Sequence, residues 1–166
     1  GPLAGRKGHL FEGGIRVPGI IEWPLVITTP RITKYPVVTY DFVPAMLELL
    51  GIEPEMPMDG DGTKLLKLMR NEIAENPDGT LVNPADERKP MGFKDSKDDA
   101  WMTHTHKLVR TDWTDTPGGS YQWELYNMIT DEFEEADLST NTTLLNSMIA
   151  DWTAWAADVQ NDIDDL

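Results

Sequence analysis

In a chain of 166 residues without a single cysteine, the side chains best suited by type to do chemistry stand in a glycine-rich opening, Gly5-Arg6-Lys7-Gly8-His9-Leu10-Phe11-Glu12-Gly13-Gly14-Ile15-Arg16-Val17-Pro18. A lysine beside glycine, on a turn too tight for bulky neighbours, can present its ammonium to a tetrahedral oxyanion as a compact point charge. Within the first 20 residues Arg6, Lys7 and Arg16 face only Glu12, so the most cationic spot of the chain lies here. The chemistry this suggests is anion recognition; a solvated surface lysine is the plainer alternative. Glu12 and Arg16 are four apart, a spacing that also suits a structural ion pair.

Other chemistry-bearing patterns are weaker. His104 and His106 alternate as they would on one strand face, a spacing that can chelate a metal, but no third ligand accompanies them. Asp59-Gly60-Asp61-Gly62-Thr63 suggests a calcium loop, yet an EF-hand would need Gly and Glu where Lys64 and Arg70 stand. A capped turn is the expectation there. Asn141-Thr142-Thr143 fits the glycosylation pattern and reads more simply as a helix N-cap region. The absence of cysteine excludes disulfides, thiolate-held metals and a cysteine nucleophile within this chain.

The elements that must position these residues follow from periodicity. Gly1 to Gly19, with six glycines and two prolines, reads as loop. Ile15-Arg16-Val17, Ile20-Ile21-Glu22-Trp23 and Leu25 to Thr28 are short β-prone runs between prolines, suited to strands or edges of a larger sheet. Phe42, Val43, Met46, Leu47, Leu49 and Leu50 follow helical spacing over 40–50, with Thr39 or Asp41 as N-cap and Gly51 as stop. A shorter helix is expected over 64–69. Residues 71–98 hold 11 charged residues, three prolines and two glycines, and read as a connection. Strands are expected at 101–103, 107–111 and 121–126, the last two joined through Thr116-Pro117-Gly118-Gly119 as a hairpin. Leu145, Met148, Ile149, Trp152, Trp155, Ala156 and Val159 form one apolar stripe on a long helix over 142–160, expected to pack on that small sheet.

Composition bounds the rest. A length of 166 residues and a hydrophobic fraction of 40% suit one globular domain or part of a larger one. Residues 1–70 carry 8 basic and 8 acidic side chains, whereas 71–166 carry 6 and 21, which accounts for the net charge of −15. That field argues against nucleic-acid and anionic-membrane partners. No apolar run reaches the roughly 20 residues that span a bilayer, so the chain reads as soluble.

Taken in order, the motifs resemble the type I sulfatases, the arylsulfatase-like family of the alkaline phosphatase superfamily. Lys7-Gly8-His9-Leu10-Phe11-Glu12-Gly13-Gly14-Ile15-Arg16-Val17-Pro18 is similar to that family's second signature. Ile20-Ile21-Glu22-Trp23-Pro24 resembles its apolar strand ending in Trp-Pro, Tyr40 to Gly51 its Asp-x-x-Pro helix, and Met58-Asp59-Gly60 its Asp-Gly before a short Leu-Leu helix. His106-Lys107-Leu108-Val109-Arg110, Glu124-Leu125-Tyr126-Asn127 and Thr130-Asp131 through Asp137-Leu138 resemble its C-terminal subdomain. The Asp-Pro-x-Glu of the family reads Asp131-Glu132-Phe133-Glu134 here, without the proline.

The resemblance implies the C-terminal end of an α/β catalytic domain over 1–70, a connecting segment over 71–98, and over 99–166 an α+β subdomain whose small antiparallel sheet is packed by a long C-terminal helix. On this resemblance the opening leans on strands of the catalytic domain. The family's lysine that contacts the sulfate ester falls on Lys7, the implied catalytic and substrate-binding residue, and Glu12 and Arg16 on a structural pair; His9 inherits nothing. The resemblance also implies hydrolysis of sulfate esters on a sulfated small molecule or glycan, with formylglycine and Ca2+ in the intact enzyme. The residues that supply them are expected outside this chain, in an N-terminal catalytic portion, because no Cys-x-Pro-x-Arg, Ser-x-Pro-x-Arg or Asp-Asn ligand pair occurs in the sequence. No metal ligand is therefore assigned here, and the chain alone is expected to be inactive. Export to periplasm, lysosome or the exterior is implied likewise. The alternative is a noncatalytic module that binds a sulfated glycan or a protein without turnover.

Overall fold

A computed structural model of the chain describes residues 1–53, 62–111 and 121–164. It divides into two compact units, Gly1–Val17 with Pro90–Leu166, and Pro18–Lys89. These boundaries differ from divisions at 70 and 98. The glycine-rich opening folds with the C-terminal residues, and part of the expected connection is strand.

The first unit is built on a four-stranded antiparallel sheet in the order β1-β2-β3-β4: β1 Met91–Lys94, β2 Asp98–Met102, β3 His106–Thr111 and β4 Glu124–Asn127. The hairpin expected between 107–111 and 121–126 forms, with Leu108 opposite Leu125; its Thr116–Gly119 turn lies outside the described residues. Because side chains alternate across a strand, Trp101, Leu108 and Leu125 share one face. The helix α4, Thr142–Asp164, lays Met148, Trp152 and Ala156 on them, with Trp123, Leu145, Ile149 and Trp155 at the margin. The apolar stripe read from sequence is thus the buried face, on a helix that continues to Asp164. Asn141 accepts the Leu144 N–H on its Oδ1 at 3.3 Å, the capping role expected of it. Gly92 of β1 lies against the Trp155 ring so closely that a Cβ there would fall 2.2 Å from it.

On the same side, Asp99 is buried and accepts from Arg110 at 2.7 Å. The guanidinium lies 4.3 Å from the Tyr121 ring centroid, 4.4 Å from Trp123 and 5.0 Å from Trp152, so three aromatic faces and one carboxylate surround it. On the opposite face Ala100, Val109 and Tyr126 are covered by Phe11, with Ala4, Leu10 and Phe93 beside it. The sheet is therefore buried on both sides. A strand so placed loses the polar-out alternation by which sequence reasoning finds half-buried strands.

The second unit packs two helices, α2 Phe42–Leu50 and α3 Gly62–Met69, through Ala45, Leu65, Leu66 and Met69, with Trp23, Ile27, Val37 and Phe42 against them. A 3-10 turn over Thr39–Asp41 leads into α2. Gly51 ends it at φ 67°, where its N–H donates to the Glu48 carbonyl at 3.1 Å and Ile52 N–H to Leu47 at 2.9 Å. That left-handed stop is the one its glycine predicts. Arg88 and Asp41 form a buried pair at 2.8 Å, and Arg88 also donates to the Pro36 carbonyl at 3.1 Å. The β-prone runs over 15–28 form no strand among the described residues; residues 23–27 make a turn in which Val26 and Ile27 N–H donate to the Trp23 carbonyl. Ile20 and Leu25 are 94% and 92% exposed. β-propensity without an adjoining strand leaves the ladder's N–H and C=O groups unpaired, so no strand results. The Asp59-Gly60-Asp61 turn lies outside the described residues.

Candidate functional site

Lys7 occupies the second position of a turn closed by His9 N–H donating to the Arg6 carbonyl at 2.9 Å. Gly8, third in that turn, has φ 94°, a conformation that side chains disfavour and that a type II turn requires. The Lys7 side chain is exposed. Gly13 N–H donates to the Ala4 carbonyl at 2.7 Å, so residues 4–13 form a closed loop with Lys7 near its tip. The chain then turns once as α1, Glu12–Ile15. A Cβ on Gly14 would fall 1.9 Å from the His9 carbonyl oxygen, so only glycine fits where the loop crosses itself.

The loop is fastened to the sheet by charged groups. Asp98 of β2, fully buried, accepts the Leu10 N–H at 2.9 Å and the Thr111 hydroxyl at 2.6 Å. Lys107 of β3, also fully buried, donates to Glu12 Oε1 at 2.9 Å. Its ammonium lies 2.8 Å from Glu134 Oε1, an electrostatic contact without aligned hydrogen-bond geometry. Glu134 Oε2 in turn accepts the Glu12 N–H at 2.7 Å. Burial pushes the Glu134 carboxyl above its ordinary range, and the Lys107 ammonium beside it only partly offsets that.

The pair expected between Glu12 and Arg16 does not form. Glu12 turns inward to Lys107, and Arg16 reaches Glu132 at 3.0 Å in a pair whose side chains are each 46% exposed. The four-residue spacing works on the outside of a longer helix, whereas α1 has a single turn and buries Glu12. Within this chain the opening covers the second face of the small sheet. His104 lies in the turn between β2 and β3 rather than on a strand face. His106 begins β3, half-buried, its Nδ1 2.9 Å from the Thr105 hydroxyl, and burial lowers its pKa.

Among the described residues no group of three or more His, Asp or Glu is placed to hold a metal ion. The buried acids are engaged elsewhere: Asp41 with Arg88, Asp98 with Leu10 and Thr111, Asp99 with Arg110, and Glu12 and Glu134 with Lys107. The described side chains thus do not fit a calcium site. No described helix is long and apolar enough to cross a membrane. Sequence reasoning missed Asp98, which sits in an acid-rich half of the chain, and noticed Glu134 and Lys107 only as parts of the Asp131 to Glu134 and Lys-Leu-Val runs, without their buried partnership.

No family model matches the chain. Among curated proteins it is similar to a sulfatase of Formosa agariphila, 39% identical over 74 residues, which is 43% of this chain and 13% of that protein. The steryl-sulfatase of Mus musculus is 35% identical over 74 residues, 43% of this chain and 12% of that protein. An uncharacterized sulfatase of Schizosaccharomyces pombe is 27% identical over 158 residues, covering 92% of this chain and 27% of that protein. The chain therefore spans little more than a quarter of the longest-matching of these relatives. A solved structure of a protein in complex with its substrate, D-glucosamine-2-N,6-O-disulfate, aligns with TM-score 0.46 and 21% identity over 73% of this chain and 24% of that one.

Proposed function

We propose that this chain, similar over 92% of its length to one uncharacterized sulfatase and over 43% to two others, is the C-terminal part of an enzyme that hydrolyses sulfate esters, with Lys7 contacting the sulfate. Two facts taken together carry the reading. The chain's curated relatives are sulfatases, and the lysine that motif position assigns to the ester is exposed on a turn whose base is held by buried charged groups.

In this reading Lys7 supplies preorganised positive charge. As the S–O bond to the leaving group breaks, negative charge spreads over the ester oxygens, and an ammonium already in place stabilises that charge more than it does the ground state. Gly8 keeps the neighbouring backbone clear of side chain, and the closed loop limits the reorganisation needed to meet the substrate. Formylglycine and Ca2+ belong, by family resemblance, to the rest of the protein. The described residues of this chain form no site for the cation, and no step here is routed through either group. By family resemblance residues 1–70 are read as the end of the catalytic domain and 99–166 as a C-terminal subdomain, with 71–98 between them, while in the chain itself Gly1–Val17 and β1 pack with the C-terminal sheet. A sulfated small molecule or glycan is the proposed substrate class, and an exported setting is proposed on the same resemblance.

The test is release of inorganic sulfate by the full-length protein from a panel of aryl and glycan sulfate esters. Turnover lowered about 10²–10³-fold by Lys7→Ala supports the reading. Tight binding of a sulfated glycan with no sulfate released would instead favour a noncatalytic binding module.

A further inference from the structure

The loop over residues 4–13 is fastened to the sheet by charged residues distant in sequence. Asp98 takes one of its amides, that of Leu10 at 2.9 Å, and Glu134 takes another, that of Glu12 at 2.7 Å. Lys107 joins the Glu12 and Glu134 side chains at 2.9 and 2.8 Å. All three of these charged residues are buried. Such a group is costly to desolvate, and apolar side chains of the same volume often stabilise a fold as well or better. Stability alone therefore gives a poor account of it. Apolar packing is non-directional, whereas a carboxylate receiving a backbone N–H sets both distance and angle. Glu134 also holds φ 59°, a left-handed conformation that a non-glycine residue keeps only where its surroundings over-determine it.

We propose that the buried group Glu12–Lys107–Glu134 positions the Lys7 turn, with Lys107 and Glu134 setting where the Lys7 ammonium stands without touching the substrate. The inference rests on the reading of Lys7 as the ester contact. Lys107 and Glu134 are positioning residues in this scheme. They grip Glu12 at the exit of the loop, Asp98 grips Leu10, and the intervening hydrogen bonds from His9 to Arg6 and from Gly13 to Ala4 carry that placement to the tip. A shift of about 1 Å in a catalytic contact can cost up to roughly 10²-fold in rate.

A double-mutant cycle in the full-length protein, read as sulfate release from an aryl sulfate per mole of folded enzyme, tests this. Glu134→Gln keeps an oxygen for the Glu12 N–H and removes the charge facing Lys107; Lys107→Met removes the ammonium at similar length. Glu134→Gln should lower kcat/KM about tenfold, mainly through kcat, yet less than about twofold in a Lys7→Ala background, because groups acting through one contact are not additive. A tenfold loss repeated in the Lys7→Ala background, or no loss in either, overturns the proposal. If Lys7→Ala alone leaves kcat/KM within about threefold, the reading of Lys7 has failed and positioning falls with it, an outcome distinct from additivity. Amide exchange of the unaltered protein gives a check that needs no variant. The Leu10 and Glu12 amides should exchange as slowly as those of β3, and fast exchange at both would show a loop too mobile to position anything.

Discussion

Lys7 is an exposed side chain on a fixed base, so truncating it removes charge and little packing. Lys7→Ala in the full-length protein should lower kcat/KM by about 10²–10³ with the melting temperature nearly unchanged. Lys7→Arg should also be impaired, since a planar guanidinium fork presents its charge and donors differently from a compact ammonium; steady-state kinetics on a sulfate ester checks both. Arg16→Ala should behave oppositely to a core change. Its partner Glu132 is as exposed as Arg16 itself, and such pairs contribute about 0–1 kcal/mol, so a denaturant midpoint that drops steeply would refute this placement. Glu134 carries a pH signature. Its carboxyl is raised above the ordinary value of 4.5, chiefly by burial, so over an interval above that value the folded state holds a proton that the unfolded state has released. Its contribution to stability is full below about pH 4.5 and is lost as pH rises through the folded-state value. Glu134→Gln cannot ionise, and its unfolding free energy should therefore fall less than the wild type's between pH 4.5 and 7. A steeper fall in the variant would reverse the sign.

At the level of elements, the sheet is held between α4 on one face and the opening loop on the other. The α4 contact leaves no room at Gly92, where a Cβ would meet Trp155 at 2.2 Å. Gly92→Ala should cost about 1–3 kcal/mol through forced displacement of the ring, measured by chemical denaturation; stability equal to wild type would mean that α4 stands off from β1. The helix itself was legible in the sequence because its period and its Asn141 cap are local signals. β1 was not. Met91–Lys94 is a four-residue strand set among charges and prolines, and its membership shows only through its pairing with β2, Met91 opposite Met102 and Lys94 opposite Asp99.

For the whole molecule, the net charge of −15 is carried by residues 71–166, so the anion recognition proposed for Lys7 would depend on a local cationic turn working within an acidic chain. Self-repulsion of that kind destabilises the compact state and is screened by salt. One lysine does not replace a nucleophile, because covalent attack and positioning supply most of the barrier reduction in such hydrolyses. The 166-residue chain alone should therefore release no sulfate from an aryl sulfate ester. Turnover by contaminant-free chain, abolished by Lys7→Ala, would show that these residues contain more of the machinery than assigned here.

What the sequence determined by itself was local or ordered along the chain: the helices over 40–50, 64–69 and 142–160, the Gly51 and Asn141 ends, the hairpin, and a succession of motifs resembling sulfatases, from which the proposed role of Lys7 is taken. What the tertiary structure decided were the partners of charged groups. Glu12 faces Lys107 rather than Arg16, Arg16 faces Glu132, and Asp98 caps Leu10. The residues in these contacts are separated by 95, 116 and 88 positions. Helical spacing names a nearby partner and cannot name one so far away. Whether a carboxylate in an acid-rich half is solvated or buried depends on which backbone N–H or ammonium the fold brings to it, and that is settled only when the opening closes over the second face of the sheet.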